Sequence, residues 1–346
     1  MNLTTDNSPR IPLRLCAVLL LVWPVLSTAN TNVLASNAID AWESWTKKTR
    51  ISDSTIVISY KGEVVASSEK NRSIDAPYPV ASLSKAITGI CATQYLEDSE
   101  HTTASTIGDV VGDRLSSEKI KQWDKKQNIT IKQLLNQTSG IKKDITQKKS
   151  LNKTPDFGTP NVDTIALRWI KQKQKGKAGG DFIYNNGHYA MLGLIIETLS
   201  GKDYEMACLE KTLRPAGIGS AELNPEWRIM SSWGGWKISA VDYLKFVNHY
   251  FSPRKVDGKR PQRFGMGFVS DAVRYGAGFF WRNTRSGNNY WHFGRWRWDG
   301  GGRYANFGAY FVYYASEWAV SVNYNKYVDR KTGLKLDKAL WQALHP

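Results

Sequence analysis

Hydrophobic residues are grouped in two different ways along this chain. Two strand-like runs, 56–60 and 63–65, lie on either side of a Lys61-Gly62 turn, which predicts a β-hairpin over residues 55–65. Further on, apolar residues recur with helical spacing, and beyond about residue 265 the chain becomes rich in Tyr, Phe, Val and Trp, as is typical of strands. The predicted helices cover 38–47, 86–95, 189–199 and 334–344, and the predicted later strands cover 276–282, 290–298, 306–314 and 318–324.

The order of these elements predicts the fold class. Consecutive strands joined by short turns pair antiparallel, and a helix at each end of the chain can cover such a sheet. We therefore expect an α/β fold, in which an antiparallel β-sheet flanked by helices is joined to an all-helical domain. Residues 30–80 and 220–346 would form the sheet-containing part, and residues 81–219 the mainly helical part.

The first 29 residues have the pattern of a signal peptide. Arg10 and Arg14 precede an apolar run over residues 15–26, and Ser27-Thr28-Ala29 provides small residues for cleavage. This run is shorter than the roughly 20 residues that cross a bilayer, and no later stretch is long and apolar enough to do so. The pattern predicts export to the periplasm or the exterior, with residues 30–346 as the mature protein.

Composition adds a strongly basic character. The 47 Lys and Arg residues against 31 Asp and Glu residues leave a formal charge of +16, and a net +11 falls within residues 119–177. Such a Lys-rich segment could bind an anionic envelope polymer, although a solvated lysine-rich face needs no partner. Export makes nucleic acid a poor candidate partner. The 41% hydrophobic content excludes a disordered chain.

The cysteine and histidine residues indicate whether a disulfide or a metal site is to be expected. Cys91 and Cys208 can pair in an oxidising compartment. Their apolar helical surroundings nevertheless favour two buried thiols. The five histidines lack the spacing of metal ligands, so we expect neither a metal nor a cofactor.

Ser82 and Lys85 are the first candidates for catalysis. They are three residues apart at the start of a predicted helix, and therefore share one face. A lysine whose pKa falls well below about 10.4 on burial can take the proton of a serine hydroxyl, and a helix N-terminus offers N–H groups to an oxyanion. The chain contains seven Ser-x-x-Lys pairs, so this pair taken alone is better explained by Ser82 capping its helix than by catalysis.

Two further motifs follow at separations of 102 and 108 residues. Tyr184-x-Asn186 precedes an apolar helix, and His292-Phe293-Gly294 lies in a predicted strand. A phenol can exchange a proton with serine, an amide can hold both a lysine and a substrate carbonyl, and a strand glycine lets a substrate backbone approach. Three such motifs in this order are much harder to obtain by chance than one.

With these motifs the chain resembles the serine hydrolase superfamily of class C β-lactamases, low-molecular-weight DD-peptidases and related esterases and D-aminopeptidases. The resemblance covers roughly residues 38–340, and Gln137 replaces the histidine that is usual in one family segment. The matching segments are 80–89, 129–141, 184–197, 234–243 and 275–278, to which the third motif adds 292–294.

Carried over residue by residue, the resemblance implies an acyl-enzyme mechanism on an ester or amide substrate, which is a small molecule or a peptide-like compound. The backbone N–H groups of Ser82 and Arg295 would form the oxyanion hole. The implied catalytic residues are Ser82 as nucleophile with Lys85 and Tyr184 as the proton-handling pair, and the implied substrate-binding residues are Asn186, which also positions the lysine, His292, Gly294 and Arg295.

The third motif departs from the family pattern. Phe293 replaces a hydroxyl residue that would help to hold a substrate carboxylate, which weakens both the β-lactamase and the carboxypeptidase interpretations. An esterase or a peptidase/amidase is therefore favoured over a true β-lactamase. Residues 295–298, Arg-Trp-Arg-Trp, replace small residues, and alternation places the arginines on one side of the strand and the tryptophans on the other. Either pair could face the cleft.

Three further expectations concern single residues and the alternative function. Trp233 and Trp236, beside Gly234-Gly235, are expected to line a pocket, whereas most tryptophans are expected in the core. His188 is expected to be structural. The alternative function is a catalytically weak relative that binds an envelope polymer through the cleft or the basic face.

Overall fold

The computed structural model describes residues 28–146, 162–252, 267–300 and 303–346. The predicted signal peptide therefore lies outside the described residues except for Thr28 and Ala29. The Lys-rich segment is described on both sides of residues 147–161. Within these ranges, no helix combines the length and the hydrophobicity needed to cross a bilayer.

Within the described ranges, an eight-stranded antiparallel sheet forms the centre of the molecule. Its strands are β1 Ser54–Tyr60, β2 Glu63–Lys70, β6 Gly267–Ser270, β7 Val273–Gly276, β8 Phe279–Thr284, β9 Gly287–Gly300, β10 Arg303–Tyr313 and β11 Trp318–Tyr324; β3 Tyr78–Pro79, β4 Glu222–Leu223 and β5 Trp236–Ile238 form a separate small sheet. The strand order of the large sheet is β2-β1-β11-β10-β9-β8-β7-β6. Its last six strands are neighbours in both sequence and space, and the N-terminal hairpin joins them where β1 pairs with β11. This arrangement confirms the predicted fold class.

Helices cover both faces of the large sheet. Alternation along β1 shows the two layers, because Ile56 and Ile58 pack with the first and last helices, whereas Val57 packs into the core on the opposite face. The described helices are α1 Thr28–Thr49, α2 Ser84–Glu97, α3 Ile107–Leu115, α4 Trp123–Lys126, α5 Ile131–Leu135, α6 Val162–Ile170, α7 Asn186–Ser200, α8 Tyr204–Cys208, α9 Ser231–Gly234, α10 Ala240–Phe251 and α11 Arg330–Leu344.

One predicted strand, 276–282, is divided by a turn. Ala277 and Gly278 have positive φ angles of 44° and 92°, which end β7 and begin β8. A Cβ atom on Gly278 would lie 2.1 Å from the carbonyl oxygen of Lys85, so only glycine lets this turn pack on the backbone of α2. The turn thereby connects the sheet directly to the helix that carries Lys85.

Cys91 and Cys208 form a disulfide, so the expectation of two buried thiols is wrong. Their Cα atoms are 5.5 Å apart, and the bond joins α2 to the end of α8 across 117 residues of sequence. Both residues are fully buried in the apolar core. Apolar surroundings are compatible with a thiol or a disulfide, and only the spatial proximity of the two residues decides between them.

Candidate active site

Ser82 lies on a single 3₁₀ turn, Ala81–Leu83, that leads into α2. The N-cap residues of these two segments are Val80 and Leu83, so Ser82 is the N-cap of neither one. The preceding residue, Ala81, has a φ of 47°, a left-handed conformation that is rare for residues other than glycine. The Val80 N–H anchors the turn by donating to the Trp236 carbonyl at 3.1 Å. The structure therefore holds Ser82 on a strained turn without employing it as a cap.

Lys85 is completely buried beneath Ser82. Its Nζ donates to Ser82 Oγ at 3.1 Å and to the Trp233 carbonyl oxygen at 2.6 Å. Burial lowers the pKa of Lys85 from its usual value to about 7, and the negative charge of Asp144 opposes this shift. The rings of Tyr184 and Tyr189 lie 5.1 and 5.8 Å from Nζ and offer a weak attraction to the charged form. Lys85 is thus placed to act as a base near neutral pH.

Tyr184 is the second side chain that contacts Ser82. Its ring is 6.0 Å from the His292 ring, and its side chain is hydrogen-bonded to Ser82. Although 37% of Tyr184 is exposed, protein atoms crowd its side chain, and this desolvation raises the pKa of its phenol, with the Ser82 hydrogen bond opposing the shift. Tyr184 therefore remains a phenol at neutral pH, which suits a proton carrier and leaves Lys85 as the base.

Gln137 holds both chain neighbours of Tyr184. The Gln137 Oε1 atom accepts a short hydrogen bond from the Asn185 N–H, and its backbone carbonyl accepts from the Ile183 N–H at 3.0 Å. Gln137 is buried and adopts a positive φ of 60°. The residue that replaces the family's histidine thus positions the Tyr184 loop.

His188 lies in the first turn of α7, directly after the Tyr184 loop. Its Nδ1 is 3.0 Å from the Asn185 carbonyl oxygen and its Nε2 is 2.7 Å from Ser139 Oγ. A carbonyl can only accept, so Nδ1 carries the proton and Ser139 donates to Nε2. With both nitrogens bonded and burial lowering its pKa to about 4, His188 acts as a neutral structural side chain.

Asn186 is the first residue of α7 and is only 7% exposed. Its Nδ2 donates to Thr146 Oγ1 at 2.8 Å, and its Oδ1 has no hydrogen-bond partner among the described residues. The two hydrogen bonds of Lys85 go to Ser82 and Trp233, so the described side chains of Asn186 and Lys85 are not hydrogen-bonded to each other.

His292 faces the same side of the sheet as Tyr184 and is 2% exposed. Its Nδ1 is 2.8 Å from the Phe293 carbonyl oxygen, so that nitrogen carries the proton, and Nε2 is a buried acceptor that no described residue pairs. Burial and the nearby Lys85 charge lower the pKa of His292 to about 3, while the Phe293 carbonyl opposes the shift. His292 is therefore a neutral acceptor.

Gly294 is the point at which β9 meets the Ser82 turn. A Cβ atom there would lie 2.0 Å from the Val80 carbonyl oxygen, so the close approach that Gly294 permits is to the chain's own backbone. β8 pairs with β9 only as far as Trp291, and no described strand pairs with that edge of β9 beyond it. The structure thus leaves an open strand edge next to the candidate nucleophile.

The arginine pair and the tryptophan pair of residues 295–298 lie on opposite faces of the sheet. Trp296 packs at 5.7 Å from the Trp233 ring, on the side of the sheet that carries His292 and the Ser82 turn. Arg295 lies over the Tyr327 ring at 5.9 Å, on the side covered by α1 and α11. The arginine side chain therefore points away from Ser82, and only its backbone remains available to the site.

The expected pocket tryptophans are core residues, so that expectation is wrong. Trp233 is 1% exposed and Trp236 is fully buried. The Trp236 indole N–H donates to the Tyr204 hydroxyl at 2.7 Å. Trp233 contributes its backbone carbonyl to the site, where it accepts from Lys85 Nζ. The sequence signal nearest to this group is the Gly234-Gly235 pair that follows it.

The reactive groups that the motifs bring together are the side chains of Ser82, Lys85 and Tyr184. A hydroxyl, an amine of lowered pKa and a phenol can attack a carbonyl and pass protons among themselves. The described residues contain no group of His, Cys, Asp or Glu side chains that could hold a metal ion.

The family profile described as Beta-lactamase matches residues 44–344. This chain belongs to the Beta-lactamase family. The match covers both parts of the fold and all three motifs, and it confirms the resemblance seen in the sequence. As a Beta-lactamase family member, the chain falls within a superfamily of serine hydrolases.

Individual relatives of this Beta-lactamase family chain are distant. Protein flp of Staphylococcus aureus (strain NCTC 8325 / PS 47) is 32% identical over 138 residues, which are 40% of this chain and 26% of that protein. A β-lactamase/D-alanine carboxypeptidase from Pseudomonas syringae has a TM-score of 0.71 at 14% identity, covering 90% of this chain and 99% of that one. A D-stereospecific amidohydrolase from Streptomyces sp. has a TM-score of 0.70 at 15% identity, covering 89% and 98%. At these identities the structural similarity shows a shared fold.

Proposed function

We propose that this protein is an exported serine hydrolase that forms an acyl-enzyme through Ser82 on an ester or amide substrate. The observation that carries this proposal is the 3.1 Å contact between Lys85 Nζ and Ser82 Oγ, because that lysine is fully buried and its pKa is about 7. With this pKa about half of the lysine is neutral at pH 7 and can accept the serine proton, whereas an ordinary surface lysine is almost entirely charged.

The reaction follows from the positions of the three side chains. Ser82 Oγ attacks the carbonyl carbon of the substrate and transfers its proton to Lys85 Nζ. The ester or amide bond then breaks, and the leaving oxygen or nitrogen receives that proton by way of the Tyr184 hydroxyl. Water attacks the acyl-enzyme, giving its proton to the same pair and releasing the acid and free Ser82. The backbone N–H groups of Ser82 and Arg295 are proposed to bind the oxyanion.

An esterase or a peptidase/amidase fits this site better than a true β-lactamase. Phe293 offers no hydroxyl group, and its ring stacks on Tyr310 at 4.4 Å on the face of the sheet opposite Ser82. A substrate carboxylate therefore lacks one donor that the family usually supplies. The open edge of β9 could instead pair with the backbone of an extended, peptide-like substrate. Asn186, His292, Gly294 and Arg295 stay proposed substrate-binding positions.

Export is supported by the disulfide, because such bonds persist in oxidising compartments. The N-terminal pattern of positive charge, apolar run and small residues points in the same direction.

A labelling experiment tests the proposal. Intact-mass spectrometry after exposure to a fluorophosphonate serine probe should give one adduct on the wild type and none on Ser82→Ala. Circular dichroism of both proteins controls for folding. A folded wild-type protein that gains no adduct, or a Ser82→Ala protein that is labelled equally, would contradict the proposal.

The second candidate function is binding of an anionic envelope polymer through the basic face. It is favoured by the exposure of Lys142, Lys143, Lys175 and Lys177, which are brought together because the Gly176 N–H donates to the Gly140 carbonyl at 2.9 Å. In the labelling experiment this function predicts an unlabelled protein whose polymer binding weakens with salt and is unaffected by Ser82→Ala.

A further inference from the structure

The amide of Asn186 is held by a hydroxyl that is itself held by a carboxylate. Asn186 Nδ2 donates to Thr146 Oγ1 at 2.8 Å. The same hydroxyl is 2.7 Å from Asp144 Oδ1, which also accepts from the Thr146 N–H at 2.9 Å. Thr146 is fully buried and Asp144 is half-buried, so this three-residue chain lies mostly inside the protein.

Counting protons along this chain determines which way the amide points. An asparagine amide can usually be turned by 180° without a visible difference, so its orientation must come from its partners. A carboxylate only accepts, and a threonine hydroxyl has a single hydrogen, which therefore goes to Asp144. The Thr146 oxygen must then accept from Asn186. The NH₂ group consequently faces Thr146, and the Oδ1 atom is turned away from it.

This orientation leaves the Asn186 carbonyl oxygen without a partner among the described residues although it is buried. Buried acceptors in native proteins are nearly always paired, so an unpaired one at a reactive site indicates a donor that arrives during the reaction. Lys85 supplies such a donor. When it takes the Ser82 proton it becomes an ammonium with three N–H groups. In the resting state its hydrogen bonds within the described part of the chain are two, to Ser82 and Trp233.

We propose that Asp144 and Thr146 are positioning residues, which hold the Asn186 carbonyl oxygen ready for the third N–H of Lys85 once that lysine has accepted the Ser82 proton. This inference rests on the proposed function. It is further supported by charge: the Asp144 carboxylate opposes the lowering of the Lys85 pKa, and it therefore stabilises the same protonated lysine. Among the residues that the structure describes, the other titratable groups facing Lys85 are uncharged at neutral pH, and they are Tyr184, Tyr189 and His292.

The hydrogen-bond step is tested by two substitutions at Thr146. Thr146→Val keeps the shape but removes the hydroxyl, so the amide of Asn186 loses its orientation; we expect the rate of Ser82 labelling by the fluorophosphonate probe to fall by roughly 10- to 100-fold. Thr146→Ser retains the hydroxyl and should restore most of the rate. Equal rates for the two variants would overturn the proposed positioning role of Thr146.

The charge step is tested by Asp144→Asn, whose amide oxygen can still accept from Thr146. Removing the negative charge should lower the Lys85 pKa further, so the pH at which labelling reaches half its maximum should fall by about 0.5 to 1 unit. Asp124→Asn, an exposed position on α4 that does not act on Lys85, is the matched control and should leave this pH unchanged.

The outcomes separate this inference from the proposed function. Wild-type protein that is never labelled at Ser82 contradicts the proposed function, and the inference falls with it. Labelled wild type with an unmoved pH profile in Asp144→Asn overturns the role of Asp144 alone. Thermal unfolding of each variant identifies a misfolded protein, and if Thr146→Val does not fold, the pH shift in Asp144→Asn decides the matter.

Discussion

Lys85 shows how strongly burial can change one side chain. A lysine at the surface keeps a pKa of about 10.4 and is almost never neutral at pH 7. Here desolvation outweighs the attraction of Asp144 and brings the pKa of Lys85 to about 7. The hydrogen bonds of its Nζ within the described chain go to Ser82 Oγ and the Trp233 carbonyl, neither of which is a carboxylate. The site thus avoids the ion pair that would keep the lysine charged.

This environment predicts a specific pH dependence. Lys85 can accept a proton only in its neutral form, so kcat/KM for an ester substrate should rise as the pH increases through about 7 and level off above it. His292, with a pKa of about 3, is already neutral throughout this range.

The substitution His292→Asn separates the two basic residues. It replaces the imidazole Nε2 acceptor with a shorter amide that does not titrate, and should lower kcat/KM, but the midpoint of the pH profile should stay in place. A midpoint that disappears in His292→Asn would assign the titration to the histidine and contradict the role given to Lys85.

For individual residues, the sequence predicts the reactive side chains of the site but not the backbone groups that contact them. The motifs identify Ser82, Lys85 and Tyr184, and the structure brings these residues together. No motif identifies the Trp233 carbonyl, since any residue supplies the same group. Asp144 and Thr146 belong to no motif either, and only the fold carries them to Asn186.

Among the strands and helices, β9 is closely packed against both β10 and the turn that carries Ser82. Its residues pair with β10 along one edge, and Gly294 allows the Val80 backbone of the nucleophile turn to lie directly against it. A side chain at this position cannot be accommodated by rotation, because the atom it would meet belongs to the backbone. The Ser82 turn can therefore lie this close to β9 only because residue 294 has no Cβ atom.

Gly294→Ala is expected to abolish most activity. The added Cβ would lie 2.0 Å from the Val80 carbonyl oxygen, so the Ser82 turn must move, and a displacement of about 1 Å can reduce catalysis by roughly 100-fold. The measurement is kcat/KM together with the thermal unfolding midpoint.

Gly112→Ala is the matched control for this substitution. Gly112 lies within α3, and a Cβ atom there would meet nothing within 4 Å. It should stabilise the helix by up to about 1 kcal/mol and leave activity intact. Similar activities for the two variants would show that the contact between Gly294 and Val80 does not position the nucleophile.

The predictability of the elements depends on their length and regularity. The long strands β9, β10 and β11 are rich in Tyr, Phe, Val and Trp, helices α2 and α7 contain long apolar runs, and the sequence predicts all five elements within a few residues. Strands β3, β4 and β5 have two or three residues each, too few for any period to appear. Tertiary contacts stabilise these short strands instead. In β5, for example, the Trp236 N–H donates to Ser84 Oγ of α2 at 3.0 Å.

For the whole molecule, the disulfide is a covalent bond between distant parts of the chain. It ties α2, which follows Ser82, to α8 across 117 residues. Cross-linking a loop of this size restricts the unfolded chain and typically stabilises a protein by about 2–4 kcal/mol.

The substitution of Cys91 and Cys208 by Ala should therefore lower the unfolding free energy by about 2–4 kcal/mol, measured by urea denaturation. Ser82 labelling of the folded variant should persist, because neither sulfur atom touches the reacting groups. Dithiothreitol should destabilise the wild type and leave the double variant unaffected. An equal response of both proteins to the reductant would show that the bond is absent in solution.

The assembly of the site from distant segments has a consequence for how the protein folds. Residues 82–85, 144–146, 184–186, 233 and 292–294 meet only when the sheet and the helical part have docked. Contacts between residues so far apart in sequence form late and slowly, whereas the helices themselves need only local contacts. Recovery of catalytic activity during refolding should thus trail the recovery of helical circular dichroism, and an activity assay on this protein would serve as a reporter of its completed tertiary structure.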